Sequence, residues 1–191
     1  GYYILLTAFE KLFVNDYMLP RGTLRDLPIE SRRANTVVVT KCPPGMQPID
    51  RRIVNNQLML PSYQHLCYSS IAYGEVDLPG TPLLVAGIAN PKPLLEYLKK
   101  QYPKTALMEY RDHHAFSHRD VQKILKLAEQ FDCVVTTEKD YMRMQQTSLV
   151  QQLGEKLIVV PIKTDFGEDK ETFDRAVMLY VAENNRQKNT P

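Results

Sequence analysis

The sequence predicts a three-layer α/β/α fold with a mainly parallel sheet, on the basis of three observations. Several short segments, such as Val37–Val39, are apolar throughout, as in strands that are covered on both faces. Other segments repeat apolar residues at helical spacing, as Val121, Ile124 and Ala128 do. From Pro82 onward the two kinds of segment alternate, which is typical of parallel strands joined by helices.

The elements predicted along the chain follow from these patterns and from turn residues. Strands are expected over residues 2–7, 34–41, 83–88, 105–110, 133–137 and 156–161. Helices are expected over residues 49–57, 91–102, 118–131, 142–153 and 171–183. The strand at residues 2–7 is a near-continuous apolar run, so we expect it to be buried on both faces. Residues 66–76 contain strand formers without long apolar runs, which predicts an exposed, extended ribbon.

Bulk properties exclude several classes of protein. The 191 residues are 43% hydrophobic and 24% charged, which fits a folded core rather than disorder. A formal net charge of +2 is too small to indicate a nucleic-acid partner. Cys42, Cys67 and Cys133 are scattered without a Cys-x-x-Cys pair, as in a reducing compartment. No apolar run is long enough to span a bilayer, and no glycine-rich loop ends in Gly-Lys-Ser/Thr.

The candidate chemistry is concentrated in two clusters of titratable residues. Asp112–His114 precedes Ser117 and Asp120, whose spacing is that of a capping box at the start of a helix. The N-terminus of a helix attracts anions. Glu138–Asp140 follows a buried strand, and ligands collect at the carboxyl ends of strands in open α/β sheets. We therefore expect both clusters to face one crevice.

Within these clusters, His113 is the candidate catalytic group and His114 is the alternative. His113 stands between a carboxylate and the start of a helix, whereas a histidine without such neighbours is more often structural. Lys139 is a candidate phosphate contact, and its alternative role is an ion pair with Glu138 or Asp140.

Cations also occur in the N-terminal part of the chain. Arg21 and Arg25 lie in a loop marked by Pro20 and Gly22, where they either grip a phosphate or remain on the surface. Lys41 ends a buried strand, a position at which a lysine often lies along a base in nucleotide-binding folds.

Five motifs in the same order resemble the tetraacyldisaccharide 4'-kinase family of lipid A synthesis. They are Leu-Pro-x-Gly-x-Leu-Arg at residues 19–25, Val-Val-Val-Thr-Lys at 37–41, Val-Ala-Gly-Ile-x-Asn-Pro at 85–91, Asp-His-His at 112–114 and Thr-Glu-Lys-Asp at 137–140. The resemblance covers the C-terminal part of such an enzyme. Because the chain also opens in a strand without Met, we expect a fragment of a longer protein.

The resemblance implies a fold similar to that of phosphate-loop NTPases, with two α/β/α parts joined by a β-ribbon. We expect residues 1–60 to be the remnant of the nucleotide-binding domain, 61–81 the ribbon linker, 82–165 the smaller domain, and 166–191 the terminal helix and tail. Family members transfer the γ-phosphoryl group of ATP to the 4'-hydroxyl of a lipid-linked glucosamine disaccharide 1-phosphate. The full-length protein is expected to use ATP and Mg²⁺, with its phosphate loop and metal ligands upstream. The fragment itself is expected to be inactive and to bind no cofactor.

The resemblance also assigns the candidate site residues. His113 and Asp112 are the catalytic candidates, and the imidazole is expected to pair with an upstream carboxylate that activates the sugar hydroxyl. The candidate nucleotide-binding residues are Arg25, Asp26 and Lys41. The candidate phosphate or substrate contacts are Lys139, Glu138 and His114, and no metal ligand is assigned in this chain. Asp26 stands where the family pattern has Glu, and Ala89 where it has Gly.

The resemblance further implies a lipid-linked substrate, no nucleic-acid partner, and a cytoplasmic location at the inner face of the inner membrane. Membrane contact is expected only through the missing N-terminal half. One alternative is a metal-dependent phosphoesterase, which also uses Asp-His-His, but that chemistry needs clustered aspartates such as Asp-x-Asp, and none occurs here. A second alternative, a non-catalytic module that binds a partner or lipid, is favoured by the absent phosphate loop.

Overall fold

The computed structural model describes the backbone of residues 1–188 and the side chains of residues 1–185. It shows the α/β class with two four-stranded sheets whose strands pair mainly in parallel. The strands are β1 (Ile4–Ala8), β2 (Thr36–Cys42), β3 (His65–Tyr73), β4 (Pro82–Ala86), β5 (Ala106–Glu109), β6 (Cys133–Thr137), β7 (Leu157–Val160) and β8 (Ile162–Asp165). The α-helices are α1 (Pro48–Leu58), α2 (Lys92–Gln101), α3 (His118–Ala128), α4 (Glu138–Met144), α5 (Leu149–Leu153) and α6 (Lys170–Lys188).

The chain divides into two compact units. The first contains residues 1–72 together with the C-terminal residues from 164, and the second contains residues 73–163. Our division into a smaller domain over residues 82–165 and a linker over 61–81 stays a prediction. The assignment of residues 1–60 as the remnant of a nucleotide-binding domain stays a prediction.

The second unit has three layers around the sheet β5-β4-β6-β7. Strands β4 and β6 are buried along their whole length, and alternate residues point to opposite faces. Leu83 and Val85 pack against α3 and α5 on one face, whereas Leu84 and Ala86 pack against α2 on the other. This two-sided coverage explains why the strands read as continuous apolar runs.

The strand order of the second unit positions the candidate site. The chain passes from β4 to β5 on one side and then crosses to β6 on the other side of β4, so the order reverses between β4 and β6. In open α/β sheets, such a switch point opens a crevice at the carboxyl ends of the strands. Gly87 follows β4 and Asp140 lies just after β6, so both stand at this edge.

The first unit contains the sheet β1-β2-β3-β8. Helix α1 packs Val54 and Leu58 against Val39 and Tyr68, which forms the core on one face of that sheet. A capping box of Gln47 and Asp50 begins α1. Among residues 1–188, no helix is both long and apolar enough to cross a membrane.

The structure corrects two expectations about strands in this unit. Strand β1 is not buried on both faces, since it lies at the edge of the sheet and Leu6 is 64% exposed. Residues 66–73 are not an exposed ribbon, because β3 pairs in parallel with β2 and Cys67 is fully buried. The polar residues that suggested exposure are accommodated in the interior: Ser69 is also buried.

The structure also divides the single helix that we predicted over residues 142–153. Helix α4 ends at Met144 and α5 begins at Leu149. Thr147 stabilises the intervening turn, because its hydroxyl donates to the Met144 carbonyl at 2.7 Å and accepts from the Leu149 N–H at 3.1 Å. Such side-chain bonds to the backbone compete with a continuous helix.

Candidate functional site

The loop that follows β5 places its two adjacent histidines in different surroundings. His113 has a φ of 60°, in the left-handed region, and its N–H donates to Asp112 Oδ1 at 3.0 Å. The His113 side chain is 71% exposed, whereas that of His114 is 28% exposed. The two rings therefore cannot share one role.

His114 is built into the packing of the second unit. Its Nε2 lies 3.0 Å from Asp120 Oδ2, and its ring stacks on Tyr110 with centroids 4.6 Å apart. Burial raises the pKa of Tyr110 to about 12. Asp120 also completes the predicted capping box with Ser117, whose hydrogen bonds lower the pKa of Asp120 to about 2. These contacts hold the loop on the first turn of α3, and the role of His114 as a phosphate or substrate contact stays a prediction.

His113 instead meets a guanidinium. Its Nδ1 lies 3.2 Å from Arg143 Nη2, while Arg143 Nη1 donates to Asp140 Oδ1 at 2.9 Å and to the Gly87 carbonyl at 3.0 Å. Arg143 follows Asp140 by three residues on α4, a spacing that places the two side chains on one face of the helix. Residues from two loops and from α4 itself thus converge on one arginine.

Asp140 is the centre of this arrangement and is completely buried. Its Oδ2 accepts from the Gly87 N–H at 2.9 Å and from Thr137 Oγ1 at 3.0 Å. Thr137 in turn accepts from the Asp140 N–H at 3.1 Å and so caps the start of α4. Both oxygens of the buried carboxylate are therefore bonded, as burial of a charge requires.

Asp112 and Lys139 complete the exposed part of the cluster. Lys139 Nζ lies 3.7 Å from Asp112 Oδ1, and His113 Nε2 lies 3.6 Å from Asp112 Oδ2. We predicted Glu138 or Asp140 as the alternative ion-pair partner of Lys139, but the partner in the structure is Asp112. Glu138 occupies the exposed first turn of α4.

The other predicted site residues belong to the first unit. Arg25 is exposed and lines a groove of about 740 Å³ together with Tyr3 and Leu27. Asp26 lines the same groove, and its Oδ2 pairs with Arg33 at 2.8 Å. Lys41 is exposed with a φ of 57°, at the point where the register of β2 against β3 shifts.

Sequence reasoning missed Arg143, and it gave Gly87 no role beyond its place in the motif at residues 85–91. The signal for Arg143 was its spacing from Asp140, which is that of an ion pair along one face of a helix. The signal for Gly87 was its place directly after a buried strand. An added Cβ there would lie 3.2 Å from Asp140 Oδ1, closer than nearly all such contacts. Within residues 1–188, no group of three or more His, Cys, Asp or Glu side chains is arranged to hold a metal.

Comparisons with known proteins agree with the motifs. Residues 2–181 match the family model described as Tetraacyldisaccharide-1-P 4'-kinase. The tetraacyldisaccharide 4'-kinase of Flavobacterium johnsoniae is 36% identical over 96% of this chain, and that of Bacteroides thetaiotaomicron is 37% identical over 97%. The chain spans about 56% of the length of these curated relatives.

A structural comparison gives the same fold. The crystal structure of LpxK from Aquifex aeolicus in complex with ATP superimposes with a TM-score of 0.58 at 17% identity, over 93% of this chain and 51% of that one. The fold is therefore that of a phosphate-loop kinase. Because the family model covers nearly the whole sequence, the chain belongs to the tetraacyldisaccharide-1-P 4'-kinase family.

Proposed function

We propose that this chain is part of a kinase that transfers the γ-phosphoryl group of ATP to the 4'-hydroxyl of tetraacyldisaccharide 1-phosphate in lipid A synthesis. The observation that carries the proposal is the position of His113 in the structure. This histidine belongs to the Asp-His-His motif by which the chain resembles the family, and it is the exposed member of the pair, at the carboxyl edge of the sheet. Family membership supports the reaction class and the lipid-linked disaccharide as acceptor.

In this reaction the 4'-hydroxyl oxygen forms a bond to the γ-phosphorus, and the bond to the bridging oxygen breaks as ADP leaves with its electron pair. The hydroxyl proton passes to a base. Little covalent chemistry falls to the protein, so positioning and charge stabilisation dominate. We assign His113 to orienting the carboxylate that accepts this proton, with Asp112 beside the ring at 3.6 Å. Lys139 then supplies a positive charge for a phosphate of the substrate.

The nucleotide is assigned to residues of the first unit. Arg25 and Asp26 share a groove whose apolar lining suits an aromatic base. The flat guanidinium of Arg25 can stack on such a base, and the N–H groups at its edge can donate hydrogen bonds. Lys41 is the third member of this assignment. Mg²⁺ is expected with ATP, but residues 1–188 contain no cluster of side chains that fits a metal, so we derive no step through the ion. The reaction is assigned to the cytoplasmic face of the inner membrane, with membrane contact made by parts of the protein outside this chain.

Activity of the whole protein that contains this chain tests the proposal. With radiolabelled ATP and tetraacyldisaccharide 1-phosphate, it should form the 1,4'-bisphosphate product, whereas the chain of residues 1–191 alone should form none. His113→Ala should lower kcat by about 10²–10⁴-fold, the usual range for a general acid–base group.

The matched control is His118→Ala, an exposed histidine that directly follows the capping Ser117 on the same unit. It should leave kcat within about twofold of the parent, because substitutions of exposed residues outside a functional site usually perturb a protein little. If the whole protein made no 1,4'-bisphosphate, the proposed reaction would be refuted. A kcat that His113→Ala leaves unchanged would remove His113 from the site.

A further inference from the structure

Arg143 is the polar group closest to His113 that the family motifs do not include. Its guanidinium carries N–H donors only and has no lone pair that can accept a hydrogen bond. The 3.2 Å contact between Arg143 Nη2 and His113 Nδ1 is therefore a hydrogen bond only when Nδ1 offers its lone pair. In a neutral imidazole, the single proton must then be on Nε2.

We propose that Arg143 is a positioning residue that holds neutral His113 in the Nε2–H tautomer and directs that N–H toward an oxyanion of the reacting groups. The inference rests on the proposed function of His113. Asp112 Oδ2, at 3.6 Å from Nε2, is beyond ordinary hydrogen-bond distance, so the Nε2–H can be donated to another acceptor.

The arginine can perform this task because its own position is fixed. Its side chain is 18% exposed, and Nη1 donates both to Asp140 and to the Gly87 carbonyl. The planar guanidinium then leaves Nη2 aimed in one direction, which a flexible ammonium group would not provide. Because Asp140 and Gly87 fix the guanidinium of Arg143, its contact with Nδ1 in turn restricts the orientation of the exposed His113 ring.

Asp140 and Gly87 make the fixed position possible. The Gly87 N–H donates to Asp140, and its carbonyl accepts from Arg143, so one peptide segment satisfies both members of the buried pair. The Cβ of a side chain at position 87 would lie in tight contact with Asp140 Oδ1 at 3.2 Å and in ordinary contact with the Arg111 carbonyl oxygen at 3.4 Å. Glycine is the residue that permits this close approach.

The tautomer is measured directly by ¹⁵N NMR of the imidazole rings in the whole protein labelled at histidine. The His113 signals are assigned by their loss in His113→Ala. In the parent protein, the proton of neutral His113 should be on Nε2. In Arg143→Met, which removes the donor, the ring should populate both tautomers, and kcat should fall by about 10–100-fold while KM for ATP is unchanged.

Arg143→Lys separates positioning from folding. The ammonium can still pair with buried Asp140, so the thermal midpoint should remain close to that of the parent, yet a single point charge does not reproduce the second contact to Nδ1. We therefore expect loss of the single tautomer without loss of stability. This variant also gives the answer if Arg143→Met fails to fold. The control Arg119→Met, an exposed arginine of α3, should change neither the tautomer nor kcat.

The result that overturns the inference is a parent His113 protonated on Nδ1, or an Nε2–H tautomer that survives both Arg143 variants. The NMR result does not depend on catalysis. A protein without kinase activity but with an Arg143-dependent tautomer would refute the proposed function alone, and an active kinase with an Arg143-independent tautomer would refute this inference alone.

Discussion

Replacing Asp140 with asparagine tests whether one buried carboxylate holds the Gly87 loop and the start of α4 together. Oδ1 accepts from Arg143, and Oδ2 accepts from the Gly87 N–H and Thr137 Oγ1. Asparagine has the same shape but only one acceptor oxygen. In either orientation its amide NH₂ faces a donor, either the guanidinium or the Gly87 N–H.

The cost of this mismatch follows from the burial. A buried donor left without an acceptor costs about 1–3 kcal/mol, and breaking a buried ion pair costs about 3–5 kcal/mol. The two costs should not be added, because both describe the loss of the same pairing. We therefore expect Asp140→Asn to lower the free energy of unfolding by about 3 kcal/mol. At roughly 2–4 °C per kcal/mol for a chain of this size, the thermal midpoint should fall by about 6–12 °C.

Calorimetry measures the midpoint, and hydrogen exchange of the β4 and β6 amides reports on the second unit itself. The control Asp77→Asn changes an exposed aspartate of the same unit and should stay within about 0.5 kcal/mol of the parent. If Asp140→Asn also stayed within that range, the amide would be accommodated in the site. The argument that the buried charge holds the Gly87 loop and the start of α4 together would then be wrong.

Two further perturbations test other parts of the chain. Hydrogen bonds from Ser117 lower the pKa of Asp120 to about 2. The ionised carboxylate therefore stabilises the fold at pH values above its ordinary pKa of 3.8, and this stabilisation is lost as the pH falls from 3.8 towards 2. In urea unfolding, the stability difference between the parent and Asp120→Asn should shrink over this range, and a difference that is as large at pH 2 as above pH 4 would contradict the assignment. Gly22→Ala would drive a methyl group into the Tyr17 carbonyl, so limited trypsin digestion should cut this loop faster at Arg21. Gly45→Ala lies in a different loop, where the methyl meets open space although a φ of 73° disfavours alanine, so it should leave the cleavage rate at Arg21 unchanged. Equal rates for both variants would refute the packing argument.

Features fixed by local pattern were predicted well from the sequence. Strand β6 has the predicted bounds, and the capping box of Ser117 and Asp120 is present. Both follow from short-range rules, namely a continuous apolar run and a side chain that reaches the backbone three residues away. The two core layers of the second unit follow from the same rules, because alternate strand residues face α3 and α5 on one side of the sheet and α2 on the other.

Features set by distant neighbours were not predictable in this way. An apolar run does not say how many strands lie beside it, so β1 was expected to be covered on both faces although it lies at an edge. For the same reason, β3 was expected to be an exposed ribbon although it pairs with β2. Arg143 was missed because its significance depends on Gly87 and His113, which are 56 and 30 positions away in the sequence.

The backbone of His113 shows why the two adjacent histidines differ. Left-handed conformations cost a residue with a side chain about 1–2 kcal/mol, and they persist where the surroundings require them. Met59 adopts this conformation at the end of α1, where such a residue commonly terminates a helix. His113 terminates no helix. Its conformation reverses the chain between the two rings, so that His114 packs on Tyr110 while His113 reaches Arg143. A glycine at this position would adopt the same backbone at lower cost but would supply no imidazole. The left-handed backbone of His113 is thus explained by the contact that it gives the imidazole with Arg143. This explanation supports our proposal that His113 is the functional member of the pair.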